Sequence, residues 1–126
     1  MSPKKAFTSE EKVQSIMSAM EDKKSVDPVA LDVRGRTIMA DFFIIASGTS
    51  RIHIRALVDA VIEKMADNGI KQKRVAGYED ATWVLLDYGD VVVHVLSPEQ
   101  RGFYKLESYW TGAEKGSPPL LSPGEV

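Results

Sequence analysis

An α/β fold built on a mixed sheet of about five strands is predicted by three features of the sequence. Two segments carry apolar residues at helical spacing, short apolar runs of strand length lie between and after them, and Trp83 to Leu96 reads as a β-hairpin. In that hairpin two apolar runs flank Asp87-Tyr88-Gly89-Asp90, whose glycine lets the chain reverse with a positive φ. With no repeat and no break in composition, the chain is expected to form one domain over residues 8–112.

Thr8-Ser9-Glu10-Glu11 is a capping box, in which Thr8 caps a free amide of the first turn and Glu11 reaches back to the Thr8 amide. Val13, Ile16, Met17 and Met20 follow at helical spacing and predict an amphipathic helix over residues 9–24. Val29 to Val33 reads as a short strand after Pro28, and Arg34-Gly35-Arg36 as a turn. Phe42 to Ala46 is an unbroken apolar run, which suits a strand buried on both faces. Ser47-Gly48-Thr49-Ser50 ends it and offers Ser50 as the cap of a second helix. Ile54, Leu57, Val58, Val61, Ile62 and Met65 form the stripe of that helix, and Asn68-Gly69 its stop. Lys71 to Ala76 fits a polar edge strand. Beyond the hairpin, Ser97 caps a third helix with Pro98 at its first position and Gln100 closing a second box. Phe103, Leu106 and Trp110 would dock this helix on the sheet. Residues 1–7 are expected to be flexible, and the Gly-, Ser- and Pro-containing residues 113–126 to form a disordered tail.

Cysteine is absent from the 126 residues, which excludes disulfides, thiolate metal sites and cysteine nucleophiles. No apolar run approaches the roughly 20 residues of a membrane span, and Met-Ser-Pro-Lys-Lys has no signal-peptide character. A cytoplasmic protein is the economical expectation. The net charge of −2 gives no bulk attraction to phosphate, so nucleic acid is not the obvious primary ligand.

Ser47-Gly48-Thr49-Ser50, between a strand and a helix, could bind an anion at the helix N-terminus; the plainer reading is a tight turn plus a cap. A nucleotidyl-transferring domain would also need paired carboxylates on a following strand to hold magnesium, and no Asp-x-Asp follows. Asp87 and Asp90 flank a turn, where carboxylates usually cap backbone amides. His53 and His94 lie in different elements without a second ligand at metal spacing, so neither a metal nor a catalytic role is assigned. Lys71, Lys73 and Arg74 read as a solvated edge, with contact to rRNA as the lesser alternative.

Trp83 depends on the register of the hairpin. If Tyr88-Gly89 form the turn, Trp83 lies opposite His94 and Leu85 opposite Val92, on the face shared with Asp90. If Gly89 is a bulge, Trp83 joins the all-valine face of Val91, Val93 and Val95 and becomes core. The reading favoured here is an exposed Trp83 that, with Leu85, Asp87, Tyr88, Asp90 and His94, and with Tyr104 and Tyr109 of the last helix, forms a partner-binding surface.

Ala30-Leu31-Asp32-Val33-Arg34-Gly35, Ala40-Asp41-Phe42-Phe43-Ile44-Ile45-Ala46-Ser47-Gly48-Thr49-Ser50, Gly77-Tyr78, Trp83 through Leu96, and Phe103-Tyr104 with Leu106, Glu107 and Trp110 resemble the Iojap family, whose bacterial members are ribosomal silencing factors. The resemblance runs over residues 8–112 in the same order, and the hairpin is its most specific part. Arg51-Ile52-His53-Ile54 departs from it, being less polar than the family's usual helix start. The resemblance implies a nucleotidyltransferase-like fold without the catalytic carboxylates, no enzymatic activity and no cofactor. It also implies binding to ribosomal protein fourteen of the large ribosomal subunit, on the face that meets the small subunit. Subunit joining would then be blocked sterically, and a role in large-subunit maturation is attributed to the family as well. A degenerate nucleotidyltransferase and a general interaction module, such as a homodimer, are the alternatives.

Overall fold

The computed structural model describes the backbone of residues 7–104 and the side chains of residues 7–101. Eight elements follow in order: α1 (Ser9–Asp22), β1 (Val26–Asp32), β2 (Phe42–Ser47), α2 (Arg51–Asp67), β3 (Arg74–Ala76), β4 (Trp83–Asp87), β5 (Val91–Leu96) and α3 (Pro98–Tyr104). The predicted docking stripe of Phe103, Leu106 and Trp110 and the expected tail lie outside the described side chains. At the start of α1 both halves of the capping box are present, with Glu11 N donating to Thr8 Oγ1 and Thr8 N to Glu11 Oε1. Ser50 caps α2 by accepting from His53 N, and the helix stops at Asn68, followed by Gly69 at φ +78°. Ser97 caps α3 by accepting from Gln100 N. Its second box does not close, because Ser97 N donates to Thr82 O instead.

The five strands form one mixed sheet in the order β1-β2-β5-β4-β3. β2 and β5 pair in parallel at its centre and the remaining neighbours are antiparallel. Parallel pairing needs a long crossover, and α2, β3 and β4 supply it between the two central strands. β1 begins earlier than the sequence suggests, and a bulge between Val26 and Val29 carries Asp27 at φ +47° and Pro28. Arg101 of α3 pins that bulge, donating to the carbonyls of Val26 and Asp27 and to Ser47 Oγ. β3 is the polar edge expected, but it begins at Arg74 rather than Lys71; Arg74 is exposed, as is Lys73 just before it.

The β4–β5 hairpin turns at Gly89-Asp90, one residue later than the two-residue turn expected at Tyr88-Gly89. Tyr88 N donates to Val91 O, Gly89 adopts φ +91°, and the Asp87 carboxylate accepts from Gly89 N. A glycine at the first central position suits a type II′ turn, whose twist matches that of the strands. The register becomes Trp83 opposite Leu96 and Leu85 opposite His94, two residues away from the expected pairing. An even shift keeps every side chain on its face, so Trp83 does lie on the side of His94.

Both faces of the sheet are apolar. On the first, Ile44, Ala46, Val84, Leu86, Val91, Val93 and Val95 meet Ile16, Ala19 and Met20 of α1 and Ile54, Leu57, Val58, Val61 and Met65 of α2. On the second, Leu31, Phe43, Ile45, Trp83 and Leu96 pack with Val33 and Ala40 from the β1–β2 connection. Gly48 lets β2 run directly into α2: a methyl group there would stand 2.7 Å from Ile54 Cγ1 and 3.0 Å from Ile54 N. Gly48→Ala should therefore displace the first turn of α2 and destabilise the fold by about 1–3 kcal/mol, read as a lower urea midpoint at unchanged m-value.

Candidate partner-binding surface

The proposed surface residues do not converge. Trp83, Leu85 and His94 share the second sheet face but are only 4%, 5% and 5% exposed. Trp83 is thus core, though not for the reason a bulged hairpin would have supplied: it keeps the mixed face and that face is itself buried. Tyr88 is 3% exposed and packs on the opposite face, beneath the helices. Burial pushes its phenol up to about 12. The side chains of Tyr104 and Tyr109 lie outside the described residues. Asp87 and Asp90, at the hairpin turn, remain partly exposed.

His94 stands between two aromatic rings, 5.6 Å from Phe43 and 6.0 Å from Trp83 by centroid, both tilted. Trp83 Nε1 donates to His94 Nδ1 at 3.0 Å, a diagonal contact across the hairpin. An indole N–H can only donate, so Nδ1 is an acceptor and the neutral ring carries its proton on Nε2. Burial holds the imidazole down at about 4. A polar pair in an apolar layer serves here as a directional lock on two core rings.

His53 has a role that spacing could not reveal. Its Nδ1 accepts from Thr49 N at 2.9 Å, and its Nε2 lies 2.8 Å from Lys23 O, so the ring ties the first turn of α2 to the end of α1. Together, Ser50 and His53 occupy amides that an anion would need, which favours the turn-and-cap reading of Ser47-Gly48-Thr49-Ser50. The low polarity of Arg51 to Ile54 resolves residue by residue: Ile54 is buried, Ile52 is exposed and His53 is bonded.

At the other end of β2, the hairpin turn, the start of α1 and the β1–β2 connection form one polar cluster. Asp90 O accepts from Asp41 N at 2.7 Å and Phe42 N at 3.1 Å, and its carboxylate takes Lys12 Nζ at 2.7 Å. Ser9 Oγ lies 2.7 Å from Asp90 Oδ2 and 2.8 Å from Asp41 Oδ2; its single hydrogen serves one carboxylate at a time. Burial alone would raise the Asp90 carboxyl, but Lys12 and Ser9 outweigh it and hold it below the usual range. Beside this cluster Arg34 pairs with Asp32 and Glu10 and lies 4.8 Å over the Phe42 ring. The Asp87 carboxylate accepts from Gly89 N, whereas the Asp90 carboxylate engages Ser9 and Lys12. Among the described residues no group of three or more His, Asp or Glu side chains could hold a metal ion. No helix among them is long and apolar enough to cross a membrane.

A single-domain α/β sheet protein with this hairpin has close relatives. The family model described as ribosomal silencing factor during starvation matches residues 6–123. The ribosomal silencing factor RsfS of Halalkalibacterium halodurans is 41% identical over 107 residues, 85% of this chain and 92% of that protein. A mouse relative named mitochondrial assembly of ribosomal large subunit protein 1 is 26% identical over 102 residues, covering 79% of this chain and 45% of its own length. The crystal structure of a Chromobacterium violaceum protein superposes with a TM-score of 0.82 at 31% identity, over 94% of this chain and 98% of that one. The chain belongs to the ribosomal silencing factor family.

Burial of Trp83 and His94 sets two expectations. Trp83→Ala should cost about 3–5 kcal/mol, as truncation of a core aromatic does, and lower the thermal midpoint sharply. His94 has a folded pKa below its unfolded value, so the unfolded chain takes the proton first. Its contribution to stability is complete above pH 6.5 and is lost as pH falls from 6.5 towards about 4. The loss is on the order of 3 kcal/mol. Urea midpoints measured across that window should fall for the native chain, and the slope there should flatten in His94→Phe. Asp90, whose pKa is lowered, loses its contribution only as pH falls below the ordinary carboxylate range.

Proposed function

We propose that this protein represses translation by binding the large ribosomal subunit through its ribosomal protein fourteen and excluding the small subunit sterically. The observation that carries the reading is the family match across residues 6–123, whose description names ribosomal silencing. The mouse relative's name ties it to assembly of the large subunit of the mitochondrial ribosome, which supports the same partner and adds a role in large-subunit maturation. Among the described residues of the expected surface, the hairpin turn of Asp87 and Asp90 is the part that stays accessible, and Trp83, Leu85, Tyr88 and His94 support it from within. Binding of this kind needs no cofactor, and the cytoplasm is where such a partner would be met.

The enzymatic alternative is less well supported. A nucleoside triphosphate would need free amides at the α2 turn and facing carboxylates for its magnesium. Here the Thr49 and His53 amides are engaged, Asp87 caps its own turn and Asp90 is held by Lys12. Titration of the chain with magnesium-ATP should accordingly release no binding heat; micromolar binding abolished by Asp87→Ala would overturn the non-enzymatic reading. The repressor reading is checked by sedimentation with separated subunits. The chain should travel with the large subunit alone and reduce the joined-ribosome peak when small subunits are added afterwards. An undiminished peak would refute steric exclusion.

A further inference from the structure

Resting on that ribosomal reading, we propose that the closed loop from Val33 to Asp41 is the apolar anchor that docks into a recess on a protein of the large subunit. Ile38 at its tip is fully exposed and Met39 is 62% exposed. Ile52, the other exposed large hydrophobic side chain among the described residues, sits at the opposite end of β2. Loop tips ordinarily carry Gly, Asn, Asp or Ser, which satisfy water and the turn, so adjacent Ile and Met at a tip call for an explanation.

The loop is built to hold these side chains out. Val33 N donates to Asp41 O across its neck, Arg36 N and Thr37 N donate to Val33 O, and Met39 N donates to Thr37 Oγ1. Gly35 supplies the positive φ that the turn requires. Val33 and Ala40, at the base, are buried in the second sheet face. The backbone is therefore ordered by its own hydrogen bonds and by the core. A partner that accepts Ile38 and Met39 meets a preorganised tip and has little loop entropy left to remove.

The charges around the loop choose the class of partner. Glu10, Asp32, Asp41 and Asp90 surround it, while Lys12 and Arg34 are already committed to Asp90, Asp32 and Glu10. Phosphate would meet carboxylates there, with the exposed Arg36 as the nearest cation not so committed. A protein recess with apolar walls and an acidic group within reach of Arg36 fits the tip. Among the described residues, the groove between α1 and α2 is lined by Asp22, Lys23, Glu63, Lys64 and Asp67, with only Ala19 and Ala60 apolar, so it would not seat this tip on a second copy of the chain. The loop also adjoins the hairpin turn through the Asp41–Asp90 backbone bond, so both would address one partner.

The test compares the native full chain with the double variant Ile38→Glu, Met39→Glu, and with the milder Ile38→Ser, by co-sedimentation with purified large subunits. The double variant should bind about tenfold or more weakly and Ile38→Ser by an intermediate amount, both with the native urea midpoint. Native-like binding by the double variant, while the native chain binds, overturns the loop proposal and leaves the ribosomal reading standing. Failure of the native chain to bind overturns both. Two further outcomes also overturn the proposal. One is loss of self-association in the ultracentrifuge with subunit binding intact, which makes the tip a self-contact. The other is equal sensitivity of binding to protein-free large-subunit RNA, which makes the partner nucleic acid.

Discussion

The two-residue turn at Gly89-Asp90 is the constraint from which the rest of the molecule follows. It sets β4 against β5 so that Trp83, Leu85, His94 and Leu96 fall on one face and Val84, Leu86, Val93 and Val95 on the other. β5 is also the parallel partner of β2, so the turn places Phe43 and Ile45 relative to the helices as well. The carbonyl of Asp90 accepts from Asp41 and Phe42 at the start of β2, and its carboxylate holds Lys12 of α1. One residue thus ties the turn to the strand that it must flank and to the helix that must cover it. A slip of one residue between these strands would bring Trp83 onto the face of Val91, Val93 and Val95, under the helices, and separate it from His94.

The polar groups of the core gain their roles from this arrangement. His94 is a strained choice for an apolar layer, because burial opposes its protonation. The Trp83 indole gives it a donor in the one geometry that the register provides, and each ring then fixes the orientation of the other. His53 does the same work between helices, closing the α2 start against the last turn of α1. Arg101 repeats the pattern at the sheet edge, where the β1 bulge leaves carbonyls that the ladder does not use. These three are side chains that satisfy backbone or ring atoms at irregular places, which is where unpaired groups are most costly.

On the proposed reading, the partner contact lies outside the hairpin core. With the aromatic and aliphatic members of the hairpin facing inward, the accessible chemistry at that end of the sheet lies in the turn carboxylates and in the neighbouring loop that presents Ile38 and Met39. A surface of this kind offers a small apolar centre inside a rim of charge, the anatomy of a protein–protein contact rather than of a nucleic-acid groove.

The helices were legible in the sequence because their signals are local. The capping box at Thr8, the cap at Ser50 and the stripe from Ile54 to Met65 act within a few residues, and the α/β class followed from their alternation with strand-length apolar runs. The faces of the hairpin were legible too, since alternation survives an even shift of register. Whether the mixed face was open or covered was not, because burial depends on what lies above a strand and sequence periodicity describes only the strand itself. The exposed reading of Trp83 failed for that reason. The tertiary contacts of His53, Arg101 and the Ser9–Asp41–Asp90–Lys12 cluster were likewise beyond reach, for the partners they reach across the fold stand 30 to 81 residues away along the chain. Sequence determined which segments could bury an apolar face; the tertiary structure alone decided which polar side chains would meet, because those meetings are set by register and packing over distances no local pattern encodes.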